Sequence, residues 1–409
     1  MSQFSVVKND SQPDQVYFDV TVTNFQSTTT IPPVFYFNEQ RTMPFIGCPE
    51  DYYLSILRFT VETGTTPLFI PTIQPQQGNR DLTIYSVSLQ FTDTSLPGSP
   101  TFIAQEFITW TPQDKSAELP PPPNATATGI QSNFNGYYNC YSYTWWLALV
   151  GRAFQDAFAN LDAQVSGAGG TLPTIHPPYI NWDTSSSSAT LFADVDGYDQ
   201  NPLITADQIK IYMNAPLFNL FNSFPAEYLG YVTVLNGKNF QILCANIGST
   251  NLQTITPANG IDPPYQAICV YQEYSTVAQW SPVTAFVFTS NTLPIQSNQV
   301  STPLVYNNGS QLQFGGNNSD IANIVTDLVS DNGQYRPNLV YHPTAQYRYI
   351  TLYGNRPLFN LDLQIFFRLK TGELVPYRIA SGESVTLKIA FIKKGSVTKD
   401  SAMLDKGVI

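Results

Sequence analysis

Charge is what this sequence has least of. Lys, Arg, Asp and Glu make up 12% of its 409 residues, where a soluble domain ordinarily carries about 25%. Asn, Gln, Ser and Thr take the place of charge, and aromatics reach 13%. A freely diffusing monomer keeps itself apart with mixed surface charge. Interface cores are the reverse, poor in charge and rich in aromatics. The composition therefore predicts a building block of an assembly rather than a lone enzyme.

Chemistry-bearing groups are scarce too. There are two histidines, His176 and His342, both followed by proline and neither spaced with a second metal ligand. The four cysteines, Cys48, Cys140, Cys244 and Cys269, lie far apart with no CxxC pair. That pattern predicts buried free thiols in a reducing compartment, ahead of disulfides or a metal site. No GxSxG, GxxxxGK[ST], HExxH or GxGxxG motif occurs. Asp194, Asp196 and Asp199 cluster around Gly197. Calcium would want such oxygen ligands, but the terminal Glu of an EF-hand loop is missing. A solvated acidic loop is the favoured reading, and ion binding there stays open. No catalytic residue, cofactor site or metal ligand set is assigned, so no enzyme is expected. Long apolar runs are absent as well. None approaches the ~18 residues of a membrane span, and the N-terminus has no apolar signal core. The expectation is a chain made and kept in the cytosol or nucleus, where the sequons at Asn9, Asn124, Asn308 and Asn317 carry no weight.

Net charge is −11, unevenly placed. From Arg336 onward 11 basic residues face 5 acidic ones, whereas the first 335 residues hold 8 basic and 25 acidic. Arg368, Lys388, Lys393, Lys394, Lys399 and Lys406 are the candidate basic inner face. Most of the basic residues are spaced along strand-like sequence, so a solvated or partner-facing charged surface is the favoured reading, ahead of a face turned toward anionic partners or packaged nucleic acid.

Period-2 alternation with β-branched residues predicts strands at Val16–Phe25, Tyr52–Val61, Leu82–Phe91 and Phe102–Trp110. Leu68 to Ile73, bracketed by prolines, suits an edge or a bend. After the stiff Leu119–Pro123 spacer, Tyr143–Leu161 reads as a helix, with Trp146, Val150, Ala153, Phe154, Ala157, Phe158 and Leu161 on one face. It runs into Ser166–Gly170 as a terminator. Short strands are expected at Phe192–Val195 and Tyr231–Val234, and short helices at Asn214–Phe224 and Ser319–Ser330. Strand character returns at Ala267–Tyr271 and Val283–Phe288. It dominates Tyr347–Tyr353, Asp362–Leu369, Val375–Ile379 and Ser384–Ile392, with Lys370–Glu373 as a tight turn. The predicted fold is all-β with minor helices: one antiparallel β-sandwich built from both chain ends, carrying a large mixed insertion. The boundaries are 1–111 for the first half, 112–266 for the insertion with its helix at 143–161, 267–394 for the second half and 395–409 for a polar, basic tail. A tandem of two smaller sandwiches is the competing layout.

Several stretches carry a family resemblance. They are Tyr53–Val61 leading to Pro67–Pro71, Thr83–Leu89, Trp280–Pro294, and the ending formed by Asp362–Arg368, Gly372–Tyr377 and Ser384–Lys394. Together they resemble viral jelly-roll capsid proteins, an eight-stranded double-sheet fold. They are most similar to the minor capsid (penton) proteins of Polinton-like, virophage-like and adintovirus-like viruses, over about half of the chain. The resemblance implies a homopentamer at icosahedral vertices, assembled inside the host cell into the virion. It implies neighbours that are double jelly-roll major capsid proteins, and an insertion that projects outward. The long basic N-terminal arm of many small-genome coat proteins is missing.

Three readings are carried forward. The favoured one is a structural virion protein, the pentameric vertex subunit of an icosahedral shell. The second is the major capsid protein of a small-genome virus, whose basic C-terminus would touch the genome; for the vertex protein such contact would be weak. The third is a carbohydrate-binding β-sandwich protein. Candidate assembly contacts are Tyr85, Phe91, Trp280, Phe286, Phe288, Phe366 and Phe367. A host receptor contact by the insertion stays open.

Overall fold

Alternating apolar and polar residues build most of this molecule. The computed structural model describes residues 12–25, 32–74, 79–115, 131, 133, 135–201, 207–230, 237–246, 248, 250–257, 263–296, 298–301, 304–308, 311–315, 319–329, 338–341 and 349–395. They fall into two compact units. The first comprises Met1–Thr66, Pro282–Asp331 and Tyr335–Ile409; the second comprises Pro67–Ser281 with Asn332–Gln334. A proline, Pro67 or Pro282, stands at each main seam.

The chain enters the first unit with β1 (Gln15–Thr23), β2 (Tyr36–Gln40) and β3 (Tyr52–Glu62). The second unit then holds β4 (Leu82–Thr92), β5 (Thr101–Thr109), α1 (Tyr143–Gly167), β6 (Tyr179–Asp183), β7 (Ser188–Asp194), α2 (Val195–Tyr198), β8 (Lys210–Met213), α3 (Ala215–Leu220), β9 (Ala226–Tyr228), β10 (Phe240–Ile242), β11 (Leu252–Ile255), β12 (Tyr265–Tyr271) and α4 (Val277–Trp280). Back in the first unit come β13 (Val283–Thr289), β14 (Asn298–Ser301), β15 (Leu304–Asn308), β16 (Gln311–Gly315), β17 (Ser319–Ala322), β18 (Ile324–Leu328), β19 (Asn338–Tyr341), β20 (Ile350–Thr351), β21 (Asn360–Leu369), β22 (Leu374–Pro376) and β23 (Ser384–Lys393).

In the first unit one sheet runs β1-β23-β3-β19, with β20 also on β3; the other runs β2-β21-β13-β18, with β22 on β21. Its eight main strands change sheet at every step except β13 to β18, which is the jelly-roll path. This is one sandwich made from both ends of the chain. A nested ribbon, β14 on β17 and β15 on β16, occupies the connection between β13 and β18.

The two inner faces of the sandwich interlock through aromatic rings. Phe59 of β3 meets Phe288 of β13 edge-on at 4.9 Å, and Phe286 at 5.9 Å. Phe18, Phe45 and Phe391 form a second cluster at 5.0–5.8 Å. Parity along β3 changes at a bulge. Lys388 pairs with Arg58 but Ile389 with Ile56, so Leu57 is the extra residue. Tyr52, Leu54 and Ile56 before it, and Phe59 and Val61 after it, therefore all point into the core.

A polar lock closes the turn after β13. The Asp362 carboxylate, buried on β21, accepts from the hydroxyls of Ser290 and Thr292, both at 2.7 Å. It also accepts from the backbone N–H groups of Thr292 at 2.9 Å and Asn291 at 3.0 Å. Burial alone would raise its pKa, but these donors outweigh burial and hold it below the ordinary aspartate value.

The second unit packs α1 against two sheets, β5-β4-β8-β10-β9 and β11-β12-β7-β6. The helix forms where its apolar spacing predicts and runs six residues further, to Gly167. Trp146, Val150, Phe154, Ala157, Leu161 and Val165 fill one buried stripe. Gly169, at φ +85°, turns the chain away after it. The opposite flank of α1 covers the outer edge of its sheet. Gln164 Nε2 donates to the Ile103 carbonyl of β5 at 3.2 Å, and Asn160 hydrogen-bonds the Glu106 carboxylate. Bonds of this kind blunt an edge strand that would otherwise pair with another chain.

Three expectations change. Ser319–Ser330 is not a helix: it forms β17 and β18, because Ile324–Leu328 finds a pairing partner in β13. The strands expected at Leu82–Phe91 and Phe102–Trp110, assigned above to the sandwich, form as β4 and β5 but pair within the second unit, whose main limits are Pro67 and Ser281. The Asn214–Phe224 helix is shorter, Ala215–Leu220, capped by the Asn214 side chain. The Tyr231–Val234 strand, the Leu119–Pro123 spacer, His342 and the tail beyond Gly395 lie outside the described residues.

Candidate assembly surface

The aromatic side chains expected to meet neighbouring chains fall mostly inside the protomer. Tyr85, Phe91, Trp280, Phe286, Phe288 and Phe367 are all buried, and Phe366 is half-buried. Tyr85 packs on Trp146 at 5.3 Å, and burial pushes its hydroxyl pKa up. Trp280 donates its Nε1–H to the Leu220 carbonyl at 2.7 Å. The reason is position in the sheet: β4 lies between β5 and β8, and β13 between β18 and β21. Central strands carry aromatics because their faces are covered by their own chain. These side chains are not available to a neighbour unless the protomer opens.

Among the described residues, the first unit exposes large apolar side chains on outermost strands and on connections. Val16, Phe18, Val20 and Val22 turn toward the sandwich interior, so Tyr17 on β1 faces out. Tyr36 is exposed on β2, the end strand of the other sheet. Met43, 76% exposed, and Phe359 sit on adjoining connections, because Arg41 N–H donates to the Phe359 carbonyl at 2.8 Å and Phe45 N–H to the Leu358 carbonyl at 2.9 Å. Phe25, Val34 and Tyr353 add further exposed apolar surface. Alternation along β1 could have marked Tyr17. Met43 and Phe359 stand in irregular segments with no period to read.

The candidate basic residues do not converge. Lys388 stands on the outer face of the β1-β23-β3-β19 sheet, 3.8 Å from Asp19, which Arg58 also reaches at 3.3 Å. Arg368 belongs to the other sheet and faces Asp327 at 3.6 Å. Lys394 Nζ donates to the Glu50 carbonyl at 2.6 Å and lies 5.2 Å from the Tyr53 ring. Lys393 is fixed by its backbone, whose N–H donates to the Asp14 carbonyl. Lys399 and Lys406 lie outside the described residues. Exposed pairs of this kind contribute little to stability, about 0–1 kcal/mol each.

The acidic cluster is built into turns. Asp194 caps α2, accepting from Asp196 N–H at 3.2 Å and from the Thr174 hydroxyl. Asp199 Oδ1 accepts from the N–H groups of Asn201 and Asn246, both at 3.0 Å. Among the described residues no group of three or more His, Cys, Asp or Glu side chains is placed to hold a metal ion. His176 stacks on Tyr265 at 3.9 Å. All four cysteines are free thiols. Burial pushes Cys140 up to about 11 and Cys244 up to about 12, which keeps both protonated at neutral pH. Among the described residues, no helix is long and apolar enough to cross a membrane.

Comparison with known proteins gives a consistent picture. The family model for the Sputnik minor capsid protein V18/19 matches residues 16–393. Structural protein V19 of Sputnik virophage is 29% identical over 219 residues, which are 52% of this chain and 93% of V19. The Sputnik virophage protein V18 is 32% identical over 166 residues, 40% of this chain and 95% of V18. A chain of the Sputnik virophage cryo-EM structure superposes with a TM-score of 0.73 at 28% identity, covering 94% of this chain and 99% of its own. The mavirus penton crystal structure superposes with a TM-score of 0.56 at 13% identity, covering 93% and 99%. At that identity it speaks for the fold.

Proposed function

This chain belongs to the Sputnik minor capsid protein V18/19 family, and from that premise we propose that it is the vertex subunit, five copies of which close a ring at each fivefold axis. Its membership makes it a structural protein of the virion and not an enzyme. A family of minor capsid proteins also removes the major-coat alternative. The pentamer, its major capsid neighbours and an outward-facing second unit are the finer reading.

The match over 94% of this chain to a chain of the Sputnik virion carries that reading. The likeness of fold to the mavirus penton supports it. The sandwich has what a ring needs. A ring is closed by heterologous contacts, so each copy must offer two unlike flanks. Among the described strands, one sheet ends in β1 and β19 and the other in β2 and β18. Apolar side chains stand exposed beside these ends, Tyr17 on β1 and Tyr36 on β2. Genome contact is a minor part of the account, since Arg368 and Lys388 stand on different sheets, each facing a carboxylate, and Lys394 bonds a backbone carbonyl.

The test is a double substitution, Met43→Ser with Phe359→Ser, in the full chain. Both side chains are exposed, so the unfolding temperature should stay within about 2 °C of the parent while ring formation, read by sedimentation velocity, falls at least tenfold. Unchanged ring formation would remove this pair from the contact. Cryo-EM of particles assembled with the major capsid protein should place the chain at fivefold vertices; density elsewhere in the shell would contradict the vertex role.

A further inference from the structure

The end of the sandwich where β3 stops and β23 starts is tied by two glutamates that reach across each other. Glu62, the last residue of β3, reaches β23: its Oε1 accepts from the N–H of Ser384 at 3.1 Å and from its hydroxyl at 3.2 Å. Glu383, the residue before β23, reaches the other way. Its carboxylate accepts from the N–H of Gly64, just beyond β3, and its Oε2 from the N–H of Ala380 at 3.0 Å. The carboxylate lies against the Gly64 backbone so closely that a Cβ there would collide with Glu383 Oε1. Asn24, just beyond β1, joins the same knot. Its N–H donates to the Glu383 carbonyl at 3.1 Å, and its carbonyl accepts from the Gly382 N–H at 2.8 Å.

The knot holds two acids and no base. Both carboxylates are half-buried, and among the described residues neither is in an ion pair. The Tyr377 hydroxyl donates to the Glu62 backbone carbonyl at 2.6 Å, and its own pKa is raised by burial with Glu383 and Glu62 nearby. Arg378 turns its guanidinium to the Pro32 carbonyl at 2.9 Å. Asn24 and the segment Thr63–Thr66 bring no titratable group. Burial, and then the like charge of Glu62, hold Glu383 above the ordinary glutamate value against the pull of the Ala380 and Gly64 N–H groups.

We propose that Glu62 and Glu383 form a proton-operated clasp: the pair takes up one proton in mild acid, which tightens this end of the sandwich, and gives it up toward neutral pH, which loosens it. The proton removes a like-charge repulsion in a half-buried place. It leaves the bonds standing, because a protonated carboxyl still accepts and gains a hydrogen to donate. A group whose folded pKa lies above its unfolded value contributes stability that is fully present below the unfolded value, about 4.3 for glutamate. That contribution is lost as pH rises through the folded value. The sense is opposite to that of Asp362, whose depressed pKa makes its contribution fail in acid. The clasp stands at the root of the segment that leaves the first unit at Thr66. It belongs to that unit alone and holds whether or not five copies close a ring.

The test is urea unfolding of the purified full chain between pH 7.5 and pH 4, followed by far-UV circular dichroism. It compares the parent with Glu383→Gln, Glu62→Gln and the double variant. Glutamine stands in for the protonated acid at every pH. Glu383→Gln should unfold at higher urea than the parent at pH 7.5, and the gap should shrink by at least half by pH 4. The two substitutions should be coupled at pH 7.5, the double variant gaining less than the singles summed, and close to additive at pH 4. A gap that stays constant with pH would overturn the proposal. So would additivity at pH 7.5, or a Glu383→Gln chain that unfolds before the parent, or fails to fold, at pH 7.5.

Discussion

Replacing Asp362 with Ala should destabilise the sandwich by about 3–5 kcal/mol, since several hydrogen bonds to a charged acceptor are lost and each buried donor left unsatisfied costs about 1–3 kcal/mol. The magnitude follows from what is left behind. Two hydroxyls and two backbone N–H groups lose their acceptor at once, at the turn where β13 ends. Asp362→Asn is milder, about 1–2 kcal/mol, because Oδ1 takes most of these bonds and an amide oxygen can replace it. The variants also separate in their response to acid. The folded-state pKa of Asp362 is depressed, so its contribution is fully present above the unfolded value of about 3.9 and is lost as pH falls through the lower folded value. Parent and Asp362→Asn should therefore converge in stability as pH drops below about 4. The assay can resolve the two units. All five tryptophans, Trp110, Trp145, Trp146, Trp182 and Trp280, lie in the second unit. Tryptophan emission thus follows that unit, while far-UV circular dichroism follows both. Urea unfolding at pH 7 should show the dichroism transition moving to lower urea in Asp362→Ala. A loss under 1 kcal/mol, or a gap between parent and Asp362→Asn that stays constant from pH 7 to pH 3, would refute the reasoning.

Phe288→Ala empties a fully buried site against Phe59 and should cost about 3–5 kcal/mol; a denaturation midpoint unchanged from the parent would place that ring outside the core. The double change Asn160→Ala with Gln164→Ala uncovers the β5 edge. It should raise concentration-dependent aggregation measured by light scattering while shifting the unfolding temperature little, and no gain in scattering would show the edge is protected by other means. A thiol reagent on the native chain should label Cys48 first, the one thiol not buried. Its reaction should be slow at pH 7 and faster as pH rises, because burial and the nearby Asp51 and Glu50 raise its pKa; rapid labelling of Cys140 or Cys244 would contradict their burial.

Much of the sandwich was legible because its strands keep a strict period. Gln15–Thr23, Asn360–Leu369 and Ser384–Lys393 alternate cleanly and form β1, β21 and β23. Residues 319–330 misled for a definable reason. Ile321, Ile324, Val325 and Leu328 have helical spacing, but the last three lie in a bulged strand. Thr289 pairs with Ile324 and Phe288 with Thr326, so Val325 is the extra residue, and both Val325 and Leu328 turn inward. A bulge can imitate a helical interval. Membership of a sheet was not legible at all. Leu82–Thr92 has the cleanest alternation in the chain, yet alternation says that a strand has a buried face and not which sheet it joins. The same gap explains the contact residues. Aromatic content marked Phe286 and Phe288 as important, but being central in the β2-β21-β13-β18 sheet is a topological fact that no local pattern carries.

The most direct test of the vertex role is the mass of the purified full chain in solution, by light scattering at low and high salt across a range of concentrations. The account predicts one discrete species at five times the 45.4 kDa chain mass, little changed by salt because the contacts are apolar. A monomer at every concentration, or shell-sized particles formed by this chain alone, would contradict it.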